Sequence, residues 1–366
     1  MKRLALLVSI LTLFLGLAAC DKPGAGTGRT TPGRGGPGET ADKDGDRDPD
    51  RPAKPKAEKT AFTTVADYDK YLEENPEDPL AYYNRGTLHL RAGNTAGALA
   101  DFTKALELKP DYQIAWVNRA VLYVKSGRLD EALADYTKAI ELDPQNGRMY
   151  FQRAYVHEKK NDAKRAMADY DKAIALKTDY AEAHVNRGLL HEAAGALDKA
   201  MADYNRAIEL NAKLPKAHAN RGLILARQKK WDEALADFTK AIELDPQYAR
   251  GYYNRGVVYL SSGNVDGAIA DFGKAIELEP NFPKAYINRG AAYTEKKDFE
   301  AAGKDYTKAL ELEPDNGRAY VSRAVNWFNQ QKYDEAWADV AKARALKVEP
   351  SNKFLEALKK ASRREK

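Results

Sequence analysis

The chain has 366 residues, 43% of them hydrophobic, and its 59 basic and 54 acidic residues nearly balance at a net charge of +5. That balance excludes the concentrated basic excess of a nucleic-acid binder. A single cysteine excludes an intramolecular disulfide framework.

Lys2-Arg3 and an apolar run over residues 4–19 open the chain. As a helix of ~1.5 Å per residue the run would span roughly 24 Å, short for a hydrocarbon core of ~30 Å. A basic start, a short apolar stretch and small residues at its end predict a secretory signal peptide over 1–19. Leu17-Ala18-Ala19-Cys20 resembles the lipobox of bacterial lipoproteins. The resemblance implies a lipid attachment at Cys20: the thiol carries a diacylglycerol, the chain is cut just before it, and the new N-terminus is acylated as well. Acyl chains at ~0.8 kcal/mol per buried CH2 would then hold the protein stably on a membrane outside the cytoplasm. Asp21 resembles the inner-membrane retention signal of enteric lipoproteins, a rule that differs among bacterial groups, so inner and outer membrane both stay open.

Residues 20–60 are rich in Gly, Pro, Thr and charge, with almost no bulky apolar side chains. Such a segment cannot bury enough surface to offset its ordering entropy and is expected to be a disordered linker. As a flexible coil its ends would lie ~35 Å apart. Asp42, Asp44 and Asp46 do not make a calcium loop, because Arg47 and Ala53 stand where glycine and glutamate are needed.

From Pro79 onward one pattern returns every 34 residues, giving eight units that start at 79, 113, 147, 181, 215, 249, 283 and 317 and fill the chain to 350. Each unit has apolar residues at helical spacing in two stretches, divided by Gly93, Gly127, Asn161, Gly195, Lys229, Gly263, Lys297 or Gln331. Gly and Asn suit a left-handed helix C-cap, whereas the two Lys and the Gln predict a different turn or local strain. Position 8 is always Gly or Ala, position 20 always Ala, and position 24 an aromatic expected to fill the space between units, with Val340 in the last unit. Pro110, Pro144, Pro246, Pro280 and Pro314 stop the second helix. Residues 61–78 align with the second helix of a unit and predict a partial repeat; 351–366 predict a capping helix, as solenoid ends require.

Period, helix pair, small-residue positions, aromatics and terminal proline resemble the tetratricopeptide repeat family over about three quarters of the chain. The resemblance implies an all-α fold, a right-handed superhelical solenoid of antiparallel helix pairs. It also implies a non-enzymatic adaptor or scaffold, with the first helix of each unit lining a concave groove.

Arg at position 7 and Asp at position 23 recur in every unit, beginning with Arg85 and Asp101, Arg119 and Asp135, Arg153 and Asp169. The pairs are expected to tie helices together, with a ladder of ligand contacts as the competing reading. The five histidines replace aromatics at positions 4 and 11 and read as packing residues; no metal site, cofactor or catalytic group is expected. On the groove side the resemblance places the amide ladder Asn84, Asn118, Gln152, Asn186, Asn220, Asn254 and Asn288 at position 6, beside Tyr83, Val117, Phe151, Tyr155 and Tyr253. Carboxamides both donate and accept, so such a row can pair with the backbone of an extended peptide or can brace the helices. Arg148, Lys216, Arg250, Lys284 and Arg318 at position 2 oppose the helix dipole, which hints at an acidic ligand or at solubilising charge. The expected partners are unidentified proteins, such as subunits of an envelope complex, together with the membrane through the lipid anchor. Self-association of the solenoid with an empty groove is the alternative.

Overall fold

The computed structural model describes residues 62–363, and all regular structure among them is helical. The expectations for the leader 1–19, Cys20 and the linker 20–60 lie outside the described residues. The described chain divides into two compact units, 62–210 and 211–363, each built of helices that pack in chain order.

The first unit contains α1 (Val65–Glu74), α2 (Pro79–Arg91), α3 (Thr95–Leu108), α4 (Gln113–Lys125), α5 (Leu129–Leu142), α6 (Gly147–Lys159), α7 (Ala163–Leu176), α8 (Ala181–Ala193) and α9 (Leu197–Leu210). The second contains α10 (Pro215–Arg227), α11 (Trp231–Leu244), α12 (Ala249–Ser261), α13 (Val265–Leu278), α14 (Pro283–Glu295), α15 (Phe299–Leu312), α16 (Gly317–Asn329), α17 (Tyr333–Ala345) and α18 (Asn352–Ser362). From α2 to α17 each 34-residue period yields one antiparallel pair, the helix-pair solenoid expected from the repeat.

The turn inside each pair is the same in all eight units, which corrects the expectation of a different turn at lysine and glutamine. Gly93, Gly127, Gly195 and Gly263 have φ between 75° and 87°, and Asn161, Lys229, Lys297 and Gln331 have φ between 59° and 67°. The next residue closes a six-to-one hydrogen bond back across the turn, as from Lys230 N to Leu225 O at 3.0 Å and Asp298 N to Tyr293 O at 2.9 Å. This is the Schellman arrangement, and it places lysine or glutamine in a left-handed conformation that strains a side chain with a Cβ. The strain half of that expectation therefore stands. Where Asn94, Asp162, Asn264 or Asp298 follows the turn, its side chain caps the second helix.

Close packing explains the invariant small residues. The position-20 alanines, Ala98 through Ala336, are fully buried. A Cβ added to Gly188 would lie 2.6 Å from the Tyr204 ring, and one added to Gly256 would lie 2.9 Å from Phe272. The position-24 ring therefore presses first on the small residue of its own unit, a contact additional to the expected filling between units. It also faces forward: Asn186 Nδ2 donates to Tyr170 Oη at 3.2 Å from the following unit.

The two ends differ from the repeats they terminate. In α1, Asp67 stands where other units carry the arginine-bound aspartate, and here it caps its own helix by accepting from Thr63 and Thr64 N–H. Phe62 lies over Tyr68 and Tyr71, with ring centres 5.2 and 5.1 Å away. At the other end α18 buries Phe354, Leu355 and Leu358 against Ala324, Val325 and Val340.

Candidate protein-binding face

In each of the two compact units the first helices rest on a framework of charge. Arg85, Arg119 and Arg153 each donate through Nε and Nη2 to both oxygens of Asp101, Asp135 and Asp169, at 2.6–2.9 Å. The same fork joins Arg187 to Asp203, Arg221 to Asp237, Arg255 to Asp271, Arg289 to Asp305 and Arg323 to Asp339. In six units the remaining Nη1 reaches back to position 25 of the preceding period: Asp69, Thr103, Thr137, Asp171, Thr239 and Thr307 accept from Arg85, Arg119, Arg153, Arg187, Arg255 and Arg323. All eight aspartates are buried.

The histidines gather on these aspartates, a role the residue pattern alone does not announce. His184 Nδ1 lies 2.9 Å from Asp203 Oδ1, and His218 Nδ1 lies 3.2 Å from Asp237 Oδ1. Burial opposes ionisation of both carboxyls, yet hydrogen bonds from the arginine and histidine outweigh it and hold them below the usual range. Asp135 has the arginine but no histidine, and there burial prevails and raises the carboxyl. Among the described residues no cluster of His, Cys, Asp and Glu could hold a metal ion.

The position-5 rings of three units sit within aromatic stacks. Tyr83 lies 5.7 Å from Phe102 and 4.9 Å from Tyr112; Phe151 has the same relation to Tyr170 and Tyr180, and Tyr253 to Phe272 and Phe282. Such tilted ring pairs, with planes 34–56° apart, add ~0.5–1.5 kcal/mol beyond their area burial. Tyr83, Asn84, Val117 and Asn118 are half-buried, while Phe151, Gln152, Tyr155, Asn186, Asn220, Tyr253, Asn254 and Asn288 are buried.

Three of these amides tie successive units together. Asn118 Nδ2 donates to Tyr83 Oη at 3.1 Å, Asn186 Nδ2 to Tyr170 Oη at 3.2 Å and Asn288 Nδ2 to Tyr253 Oη at 2.9 Å, in each case a tyrosine of the preceding period. Burial raises the Tyr83 and Tyr253 hydroxyls, with the amides opposing that shift. By contrast, Gln152 Oε1 and Asn254 Oδ1 are buried and accept no hydrogen bond from the described residues.

Two carboxylates on this face escaped the sequence reading. Tyr170 Oη donates to Glu158 Oε2 at 2.6 Å and Tyr204 Oη to Glu192 Oε2 at 3.2 Å. The signal was available: position 12 is Leu90, Val124, Ala226, Leu260, Thr294 or Phe328 in the other units. Of the position-2 cations, Arg148, Lys284 and Arg318 are exposed and Lys216 and Arg250 half-buried. No helix among the described residues is long and apolar enough to cross a membrane.

Tetratricopeptide repeat models match residues 79–112, 114–146, 249–282 and 283–316, and a second such model matches 147–180. A further TPR repeat model matches 193–229 and 222–263, so these models together cover more than half of the chain. No curated protein sequence matches. Among solved structures, the APC/C hetero-tetramer Cut9-Hcn1 aligns at 18% identity and a TM-score of 0.55 over 72% of this chain and 52% of that one. The present chain thus spans about half the length of that relative. A tetratricopeptide repeat protein from Parabacteroides merdae aligns at 21% identity and a TM-score of 0.50, over 71% of this chain and 98% of its own. PilF of Pseudomonas aeruginosa aligns at 19% identity and a TM-score of 0.50, over 56% and 92%. At these identities the likeness is one of fold.

Proposed function

Because the chain belongs to the tetratricopeptide repeat family, a family of protein-interaction scaffolds, we propose that it is a lipid-anchored adaptor of a bacterial envelope. In this reading it holds extended segments of partner proteins on the face of its first helices and has no catalytic role. Acylation at Cys20 places it on a membrane outside the cytoplasm, and the linker 20–60 lets the repeats reach partners above the bilayer.

The observation that carries the binding reading is an unpartnered carboxamide oxygen in each compact unit taken by itself, that of Gln152 in the first and that of Asn254 in the second. A buried acceptor left without a donor costs ~1–3 kcal/mol, and the backbone N–H of an extended segment is a donor available in any sequence. The neighbouring rings and Val117 offer the apolar ground on which side chains of such a segment can rest.

Site-specific photo-cross-linking in intact cells tests the face. A photoreactive residue at Val117 or Tyr83 is expected to give discrete adducts to other proteins, whereas one at the exposed Ala168 on a second helix gives none. Adducts only from Ala168, or only to a second copy of this chain, would overturn the reading. Fatty-acid labelling tests the anchor: Cys20→Ser should abolish label and release the protein, and a labelled, membrane-bound mutant would refute it.

A further inference from the structure

The first and last helices of the array carry opposite charge. Over residues 65–78, which hold α1 and the turn into α2, six Asp or Glu stand against Lys70 alone. Over residues 342–363, the end of α17 and all of α18, seven Lys or Arg stand against Glu349 and Glu356. The two ends thus have net charges of −5 and +5. The stretches equivalent to the basic end in the two preceding units, 274–295 and 308–329, each hold three charges of each sign.

Both imbalances persist after local pairing is complete. At the acidic end Asp67 accepts from Thr63 and Thr64 N–H, Asp69 from Arg85, and Asp78 from Leu80 and Ala81 N–H. The Glu73, Glu74 and Glu77 carboxylates are exposed and have no partner among the described residues. Leu80, three residues further on, is a large apolar side chain left 42% exposed. At the basic end Arg344 is held by Glu349. Lys342 has lost its partner: Lys274 and Lys308, at the same position 26, bind Glu277 and Glu311 at 2.6 and 2.9 Å, but Ala345 replaces that glutamate here. On α18, Phe354, Leu355 and Leu358 take the buried side and leave Lys353, Lys359 and Lys360 in solvent. None of these four lysines has an acidic partner among the described residues.

Solubility accounts for charge at the ends of a solenoid, but not for opposite signs at the two. An anionic bilayer would match the basic end and leave the acidic end without a role, whereas a second copy of this chain matches both. We propose that copies of this chain associate head to tail, the acidic end of one on the basic end of the next. Glu73, Glu74 and Glu77 of one copy meet Lys342 and the lysines of α18 on its neighbour, and Leu80 supplies apolar contact among the ion pairs. The contact is heterologous, so each copy keeps one end of each sign for further neighbours, and the assembly runs to a filament or closes as a ring. It uses none of the residues assigned to partner segments and stands whether or not that reading holds.

Sedimentation velocity of the full chain at 0.1 M and 1 M salt, in a fixed nonionic detergent that occupies the apolar run 4–19, tests this. The screening length falls from ~10 to ~3 Å between the two conditions. Species larger than the monomer should form with rising concentration at the lower salt, and the association should weaken at least about tenfold at the higher. A Glu73→Lys, Glu74→Lys, Glu77→Lys variant and a Lys342→Glu, Lys353→Glu, Lys360→Glu variant should each stay monomeric. Their equimolar mixture should pair again, because the unaltered basic end of one meets the unaltered acidic end of the other. A photoreactive residue at Leu80 should give adducts to residues 342–363 of a differently tagged copy. A monomer at every concentration, assembly indifferent to salt, or Leu80 adducts only to other segments would overturn the proposal. A chain that stays monomeric yet binds phosphatidylglycerol vesicles through the three lysines would overturn it in favour of a bilayer. The salt comparison uses the unaltered protein, so it decides the matter even if a variant fails to fold.

Discussion

Arg153 holds Asp169 through two parallel hydrogen bonds, Nε to Oδ2 and Nη2 to Oδ1, both at 2.8 Å, while its Nη1 reaches Thr137 Oγ1 at 3.2 Å. One guanidinium thereby joins α5, α6 and α7, two helices of one unit and the last of the unit before. Only a planar fork with several donors does this, which is why lysine would not serve. Breaking a buried pair costs ~3–5 kcal/mol, and because the arginine side chain is 20% exposed the loss should be nearer ~2–3 kcal/mol. Arg153→Ala is expected to lower the urea midpoint accordingly, and Arg153→Lys to recover less than half of that. An unchanged midpoint would show that the fork holds nothing together.

His157 makes the same junction sensitive to acid. It is only 8% exposed, and its Nε2 lies 3.8 Å from Asp169 Oδ2. Burial is the leading influence and holds its imidazole below the ordinary 6.5; Asp169 and Asp162 oppose this, while Arg153 and Arg165 add to it. The folded protein therefore binds the proton less readily than the unfolded chain does. The stability so gained is complete above the unfolded pKa and is lost as pH falls through the lowered folded value. His157→Tyr, the residue found at this position in Tyr123, Tyr259 and Tyr293, should flatten the stability profile between about pH 7 and pH 5. Parallel profiles for wild type and variant would contradict this assignment.

Arg289 shows the ladder with a rung missing. Its Nε and Nη2 hold Asp305 as in every other unit, but position 25 of the preceding period is Gly273, which has no side chain to accept from Nη1. A Cβ built at Gly273 meets only Arg289 Nη1, at 3.6 Å, so the site has room. Gly273→Thr should stabilise the protein by ~1 kcal/mol or slightly more, from helix propensity and the restored hydrogen bond together. Gly273→Val has nearly the same shape and propensity without the hydroxyl. Threonine should exceed valine by about 1 kcal/mol in thermal unfolding; equality of the two would mean that the third donor is satisfied by solvent.

The fold was legible because period, small residues and aromatics repeat eight times, so that each unit corroborates the next. The Arg85–Asp101 type of pair was visible for the same reason. What repetition hides is the exception. Asn326 and Gly303 are each one departure among eight, and only the fold shows that they compensate one another, a Cβ built at Gly303 lying 3.1 Å from Asn326 Nδ2. The backward reach of Arg153 to Thr137 was hidden differently: position 25 is Asp, Thr, Asn, Gly or Ala along the chain, and no single residue type marks it. The amide ladder looked uniform in sequence, yet Asn118 donates through Nδ2 to Tyr83 Oη of the preceding unit, while the oxygen of Gln152 is left without a partner and faces no tyrosine at that place, where the preceding unit carries Val117.

The turn at position 15 yields a graded prediction. Lys229 at φ 60° and Lys297 at φ 67° occupy the left-handed region that Gly127 occupies at φ 75°. A residue with a Cβ is disfavoured there by ~1–2 kcal/mol, and glycine returns part of that through the greater freedom of the unfolded chain. Lys229→Gly and Lys297→Gly should each raise stability by ~0.5–1 kcal/mol. Asn161→Gly, at φ 59°, should gain less, because asparagine tolerates this conformation. Gly127→Ala should lose ~1 kcal/mol. Unfolding midpoints for the four variants check the order, and a gain at Asn161 as large as that at Lys229 would show that side-chain strain does not set the cost of this turn.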